Sequence, residues 1–111
     1  MTTTSTNSSD TLQALMAVIN ERRQADPAHS YVASLLQDNE DKVLKKIGEE
    51  AVEVVLAAKS TDVSAIIHET ADLWFHTLVL LARHDLAATD VLTELRRRFG
   101  VSGHEEKRNR K

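Results

Sequence analysis

The chain has 111 residues, a size that fits one compact domain, and Ala, Leu, Val, Glu, Arg and Lys dominate while Gly occurs three times and Pro once. There is no cysteine, which excludes a disulfide scaffold and a thiolate metal centre and fits a reducing compartment. The net charge of −3 is uneven: residues 96–111 carry +5, leaving −8 on the rest, an acidic body with a basic end.

"MTTTSTNSSD" has neither a basic start nor an apolar run, so no secretory signal is read there, and residues 1–9 are expected to be a disordered polar tail. No apolar run is long enough to span a bilayer. A cytoplasmic protein with no membrane partner is the expectation. Ser9 or Asp10 caps a first helix carrying the stripe Leu12, Leu15, Met16 and Ile19. Pro27 in "ADPAHS" breaks it, and Ser30 caps a short helix through Leu36. After the acidic link "QDNED", a third helix is predicted over 41–59, with Leu44, Ile47, Ala51, Val54 and Ala58 as its core stripe.

"STD" marks a stop and a new cap, and a fourth helix is predicted over 63–84. It is apolar on two sides: Ile67, Ala71, Trp74, Leu78 and Leu81 on one, Ile66, Leu73 and Leu80 on the other. Such a helix requires burial nearly all round, more than one small subunit provides. The expectation is therefore an all-α fold whose two long central helices pack into a four-helix bundle across a homodimer. A fifth helix over 90–99 ends at Gly100, and a basic tail follows over 100–111. The domain as a whole is assigned to residues 10–111.

The chemistry is concentrated in the acidic residues of the two long helices. "KKIGEEAVEVV" carries Glu49, Glu50 and Glu53, and "HETADLWFH" carries Glu69 and Asp72. At about 100° per residue, Glu50 and Glu53 lie roughly 60° apart, and Glu69 and Asp72 repeat the step. His76 follows on the same side of the fourth helix, and Arg83 continues that stripe. The short connection makes the helices antiparallel neighbours. Two readings stand: solvated faces paired with Lys42, Lys45 and Lys46, or converging carboxylates that would repel unless a cation joined them. Glu69 and Asp72 favour the second, since unpaired charge is costly in an otherwise apolar helix. An all-oxygen ligand set suits Mg²⁺, with Mn²⁺ an alternative.

The pattern Glu-Glu-x-x-Glu followed by Glu-x-x-Asp resembles the signature of the all-α nucleotide pyrophosphatases, the MazG-like superfamily. "SYVASLL", "KVLKKIGEEAVEVVLAAK", "ETADLWFHTLVLL" and "VLTELRRRFGVSGHEEKRNR", in this order, narrow the resemblance to the phosphoribosyl-ATP pyrophosphatases. The likeness covers residues 10–111. It departs at "QDNED", where the family commonly has a glycine, and at the polar N-terminal extension.

The resemblance implies hydrolysis of phosphoribosyl-ATP to phosphoribosyl-AMP and pyrophosphate, the second step of histidine biosynthesis. It also implies Glu50, Glu53, Glu69 and Asp72 as Mg²⁺ ligands, and Glu49 as the residue that positions water or acts as base. Candidates to bind the anionic substrate are Lys45 and Lys46, one turn before the acidic cluster, His76, and Arg97, Lys107 and Arg110 of the basic end. The rival activities are a house-cleaning (d)NTP pyrophosphatase of the same superfamily and a non-enzymatic helical dimerisation module. Nucleic-acid binding is disfavoured by the negative charge and the scarcity of aromatics.

Overall fold

Ser30 ends the loop that Pro27 enforces: its side chain accepts the Ala33 N–H and starts a short helix. In the computed structural model, which describes residues 8–99 and the side chains from Thr11 onward, five helices follow one another. They are α1 (Ser8–Glu21), α2 (Tyr31–Gln37), α3 (Glu40–Ser60), α4 (Val63–Arg83) and α5 (Ala88–Arg97). No strand occurs among the described residues, so the all-α expectation holds. The tail 100–111, with Lys107 and Arg110, lies outside the described residues.

Local chemistry sets the boundaries. Helix α1 starts at Ser8, so Ser8 and Ser9 are helical rather than part of a polar tail. Asn39 caps α3 by accepting the Asp41 N–H, and Asp62 caps α4 by accepting that of Ala65. Between them Thr61 adopts a left-handed backbone at φ 58°, closing the hairpin in two residues. Helix α5 begins two residues before the expected Asp90. That residue works from inside the first turn, where its carboxylate accepts the Ala87 N–H at 2.8 Å.

The core lies at the open end of the α3–α4 hairpin. Ile19, Leu35, Val43 and Val79 are fully buried there, joined by Met16, Leu78, Ala82 and Ala88. Arg83 fastens this end, donating to the carbonyls of Leu35 (2.8 Å), Leu36 (3.1 Å) and Asp38 (2.8 Å) at the close of α2. His84 meets Glu40 at 2.7 Å, joining the end of α4 to the start of α3. Arg23 reaches the Ala82 carbonyl from α1's trailing turn.

The α3 core stripe is rotated from the expected one. Val43 and Ala57 are buried, with Ile47, Glu50 and Val54 partly so, while Leu44, Ala51 and Ala58 are exposed. The inward positions keep a helical spacing of four and three residues, which turns Glu50 toward α4 and a second aliphatic stripe outward. On α4, Leu78 and Leu81 join the core as expected, but Ile67 and Trp74 are 65% and 57% exposed and Ala71 is also open. The half of the hairpin nearest the turn thus shows Val52, Val55 and Leu56 beside Val63 and Ile67.

Candidate active site

Antiparallel pairing sets Glu50 of α3 and the Glu69–Asp72 step of α4 at nearly equal distances from the Thr61–Asp62 turn. Glu50 faces inward, and its Oε1 is buried with no hydrogen-bond partner among the described residues. Desolvation raises its pKa, reinforced by a hydrogen bond with the Glu69 carboxyl and by the charges of Asp72 and Glu69; Lys46 opposes the shift. A buried carboxyl oxygen without a donor, set among like charges, is an arrangement that a hard divalent cation satisfies.

On α4, ligand atoms of His68, Glu69 and Asp72 lie within 4.8 Å of one another. His68 Nε2 is 3.5 Å from Asp72 Oδ2. His68 was not among the residues singled out from the sequence. The signal available was its position four residues before Asp72, which places both on one helix face.

Of the four expected ligands, Glu69 and Asp72 share this group with His68, and Glu50 stands beside it, where the charges of both act on it. Glu53, one turn further along α3, is exposed and outside this group. Glu49 is half-exposed and forms ion pairs with Lys46 (3.6 Å) and Lys45 (4.0 Å). Lys46 also acts electrostatically on Glu50 and on Tyr31, which places its charge at the edge of the acidic cluster.

His76 is 4% exposed and engaged at both ring nitrogens, with Nδ1 2.8 Å from the Asp72 carbonyl and Nε2 2.8 Å from the Tyr31 hydroxyl. A carbonyl only accepts, so Nδ1 carries the hydrogen and the tyrosine donates to Nε2. His76 is therefore built into the wall behind Asp72 rather than presented to a ligand. Arg97 is held to Glu94 by two hydrogen bonds, at 3.1 and 2.8 Å.

The family described as phosphoribosyl-ATP pyrophosphohydrolase matches residues 12–99, a span containing every described residue of this cluster. The chain is similar to the phosphoribosyl-ATP pyrophosphatase of Nitrosomonas eutropha, with 60% identity over 95% of this chain and 90% of that one. The proteins of the same name from Nitrosospira multiformis (59% identity; 92% of this chain, 84% of that one) and Neisseria gonorrhoeae (56%; 86% and 90%) are close in the same way. No helix among the described residues is long and apolar enough to cross a membrane. With a match of this extent and relatives this similar over most of their length, the chain belongs to the phosphoribosyl-ATP pyrophosphohydrolase family.

Proposed function

We propose that this chain hydrolyses phosphoribosyl-ATP to phosphoribosyl-AMP and pyrophosphate, in histidine biosynthesis, with Mg²⁺ or Mn²⁺ as cofactor. The names of its relatives support the substrate. The observation that carries the chemistry is the buried Glu50 Oε1, without a hydrogen-bond partner among the described residues and set beside Glu69 and Asp72. Glu50, Glu69 and Asp72 would hold the cation, with Glu53 as the fourth ligand. Bound there, the cation would neutralise charge on the phosphates and lower the pKa of a coordinated water.

The remaining work falls to the chain's own groups. The bond that breaks lies between the α and β phosphates; water supplies the new oxygen, and pyrophosphate leaves. Glu49 is exposed beside the cluster, where a carboxylate can orient that water and accept its proton. Lys45 and Lys46 stand on the same turns and would exchange their pairing with Glu49 for phosphate oxygens. Arg97, Lys107 and Arg110 would add positive charge from the basic end of the sequence.

The working unit is proposed to be a homodimer. The exposed apolar residues of the hairpin, Val52, Val55, Leu56, Val63, Ile67 and Trp74, lie on the two helices that carry the acidic cluster. A second hairpin of the same chain would cover them and complete a four-helix bundle.

The test is pyrophosphate release from phosphoribosyl-ATP beside a panel of dNTPs, with Mg²⁺ and with excess chelator. Preference for phosphoribosyl-ATP, abolished by chelator, is expected. Equal or better turnover of dNTPs would transfer the chain to a house-cleaning role, and full activity in chelator would remove the cation from the reading.

A further inference from the structure

Tyr31, the first residue of α2, is 48% exposed, yet its hydroxyl is committed inward. It donates to His76 Nε2 at 2.8 Å, and His76 Nδ1 in turn donates to the Asp72 carbonyl at 2.8 Å. The imidazole is clamped on its faces and edges as well. The Tyr31 ring meets it at 77° with centroids 5.8 Å apart, and Phe75 meets it at 83° and 5.0 Å. Burial, with the charges of Glu50, Asp72 and Glu49, keeps the phenol protonated against the opposing pull of Lys46, so it remains a donor.

This relay joins α2 to one specific turn of α4. The carbonyl at its end belongs to Asp72, whose carboxylate is in the acidic cluster with Glu69 one turn earlier. The hydroxyl fixes one tautomer and one orientation of the ring. Without it, Nε2 would be a buried acceptor with no donor, and the ring would gain alternative arrangements.

We propose that Tyr31, acting through His76, is a positioning residue that holds the Asp72 turn of α4 in the geometry a bound cation needs. The inference rests on the cation reading of the cluster given above, and it assigns a task to α2, an element that contributes no carboxylate to the site.

The test is Mn²⁺ binding to the full chain, followed by the loss of the free-ion electron paramagnetic resonance signal. Four variants accompany the parent: Tyr31→Phe, His76→Asn, their combination, and Val43→Ala. Asparagine retains a donor near the Asp72 carbonyl but has nothing at the Nε2 position. Val43→Ala loosens the core without removing a member of the hydrogen-bonded relay and serves as the control for lost stability.

Each relay variant should bind Mn²⁺ about tenfold more weakly, the low end of what outer ligand partners contribute. The combination should be no weaker than either single change, because the two residues act as one unit. Val43→Ala should bind like the parent although it melts at lower temperature. Parent-like binding by Tyr31→Phe would overturn the proposal while leaving the cation site standing. So would multiplicative losses in the combination, or equal weakening by Val43→Ala. A parent that binds no Mn²⁺ would remove the cation reading itself, and the proposal with it. If Tyr31→Phe does not fold, His76→Asn decides by the same criterion.

Discussion

Glu50 of α3 is set beside Glu69 of α4, and among the described residues its Oε1 is buried without a hydrogen-bond partner. In a metal-free protein this pair is a source of repulsion. Glu50→Gln and Asp72→Asn keep size and remove charge, so both should leave the metal-free melting midpoint unchanged or raise it. Activity should fall by about a hundredfold or more, the scale seen when one charge-stabilising group is removed. Added Mg²⁺ should raise the midpoint of the parent more than that of either variant, since a ligand of the folded state stabilises by mass action. Melting and pyrophosphate release, measured on the same preparations, check this. Glu53→Gln separates the fourth ligand from the other three. It is exposed, so its stability should change by less than about 0.5 kcal/mol, and only its effect on activity is diagnostic.

The elements of this fold were legible because their signals are local. Ser30 and Asp62 cap where short polar side chains should, and Pro27 falls in the loop between α1 and α2. The rotation of α3 was not legible. Ile47 and Val54 face inward as expected, but Leu44, Ala51 and Ala58 flank them as plausibly as Val43 and Ala57 do, and periodicity cannot rank two apolar flanks of one helix. The packed face is the one on which Val43 and Ala57 are buried, and Glu50 lies on it despite the cost of desolvating its carboxyl. The nearness of Glu50 to Glu69 and Asp72 was legible from spacing and a short turn, whereas Glu53, expected beside it, is exposed. The relay from Tyr31 to His76 was not, because it joins residues 45 positions apart through a tertiary contact.

Arg83 closes α2 by donating to three of its terminal carbonyls, and its Nε lies 3.7 Å from Glu40. Its side chain is 19% exposed, and replacement would strand the partly buried carbonyls of Leu35 and Leu36, while that of Asp38 is open to water. Arg83→Met should reduce stability by about 1.5–3 kcal/mol, the range for hydrogen bonds to a charged group. Arg83→Lys should recover only part of this, because an ammonium cannot reproduce the planar fork. Urea unfolding with an unchanged slope would attribute the loss to the folded state.

Glu94 on α5 is held at a pKa of about 2 by hydrogen bonds from Arg97 and Arg98. The folded value lies below the ordinary carboxylate value of 4.5. Its contribution to stability is therefore present above the ordinary value and disappears as the pH falls through the folded one. Glu94→Gln should melt slightly below the parent at neutral pH, and the two curves should converge between pH 4.5 and about 2. The difference should shrink in high salt, as expected of an exposed pair. A gap that persists below the folded value of about 2 would assign the effect to helix propensity instead.

Ile67 decides whether the hairpin face is a surface or an interface. It is 65% exposed on α4, near Val63 and across the turn from Val55 and Leu56. On an isolated chain, Ile67→Glu would be a surface change worth no more than about 0.5 kcal/mol. In a homodimer built on this face, the glutamate would be buried without a partner in both subunits, which costs several kcal/mol per ion. The parent should sediment as a dimer at micromolar concentration, with a melting midpoint that rises with concentration. Ile67→Glu should sediment as a monomer or lose its folded state. Glu53 adds a second reading to the same experiment. It is exposed in the single chain, so a dimer that brings it to the cluster would make cation binding depend on association. Mn²⁺ affinity should then fall with Ile67→Glu as the dimer is lost. If that variant sediments and melts as the parent does, the apolar face is solvated, and the fourth ligand must be sought elsewhere on α3.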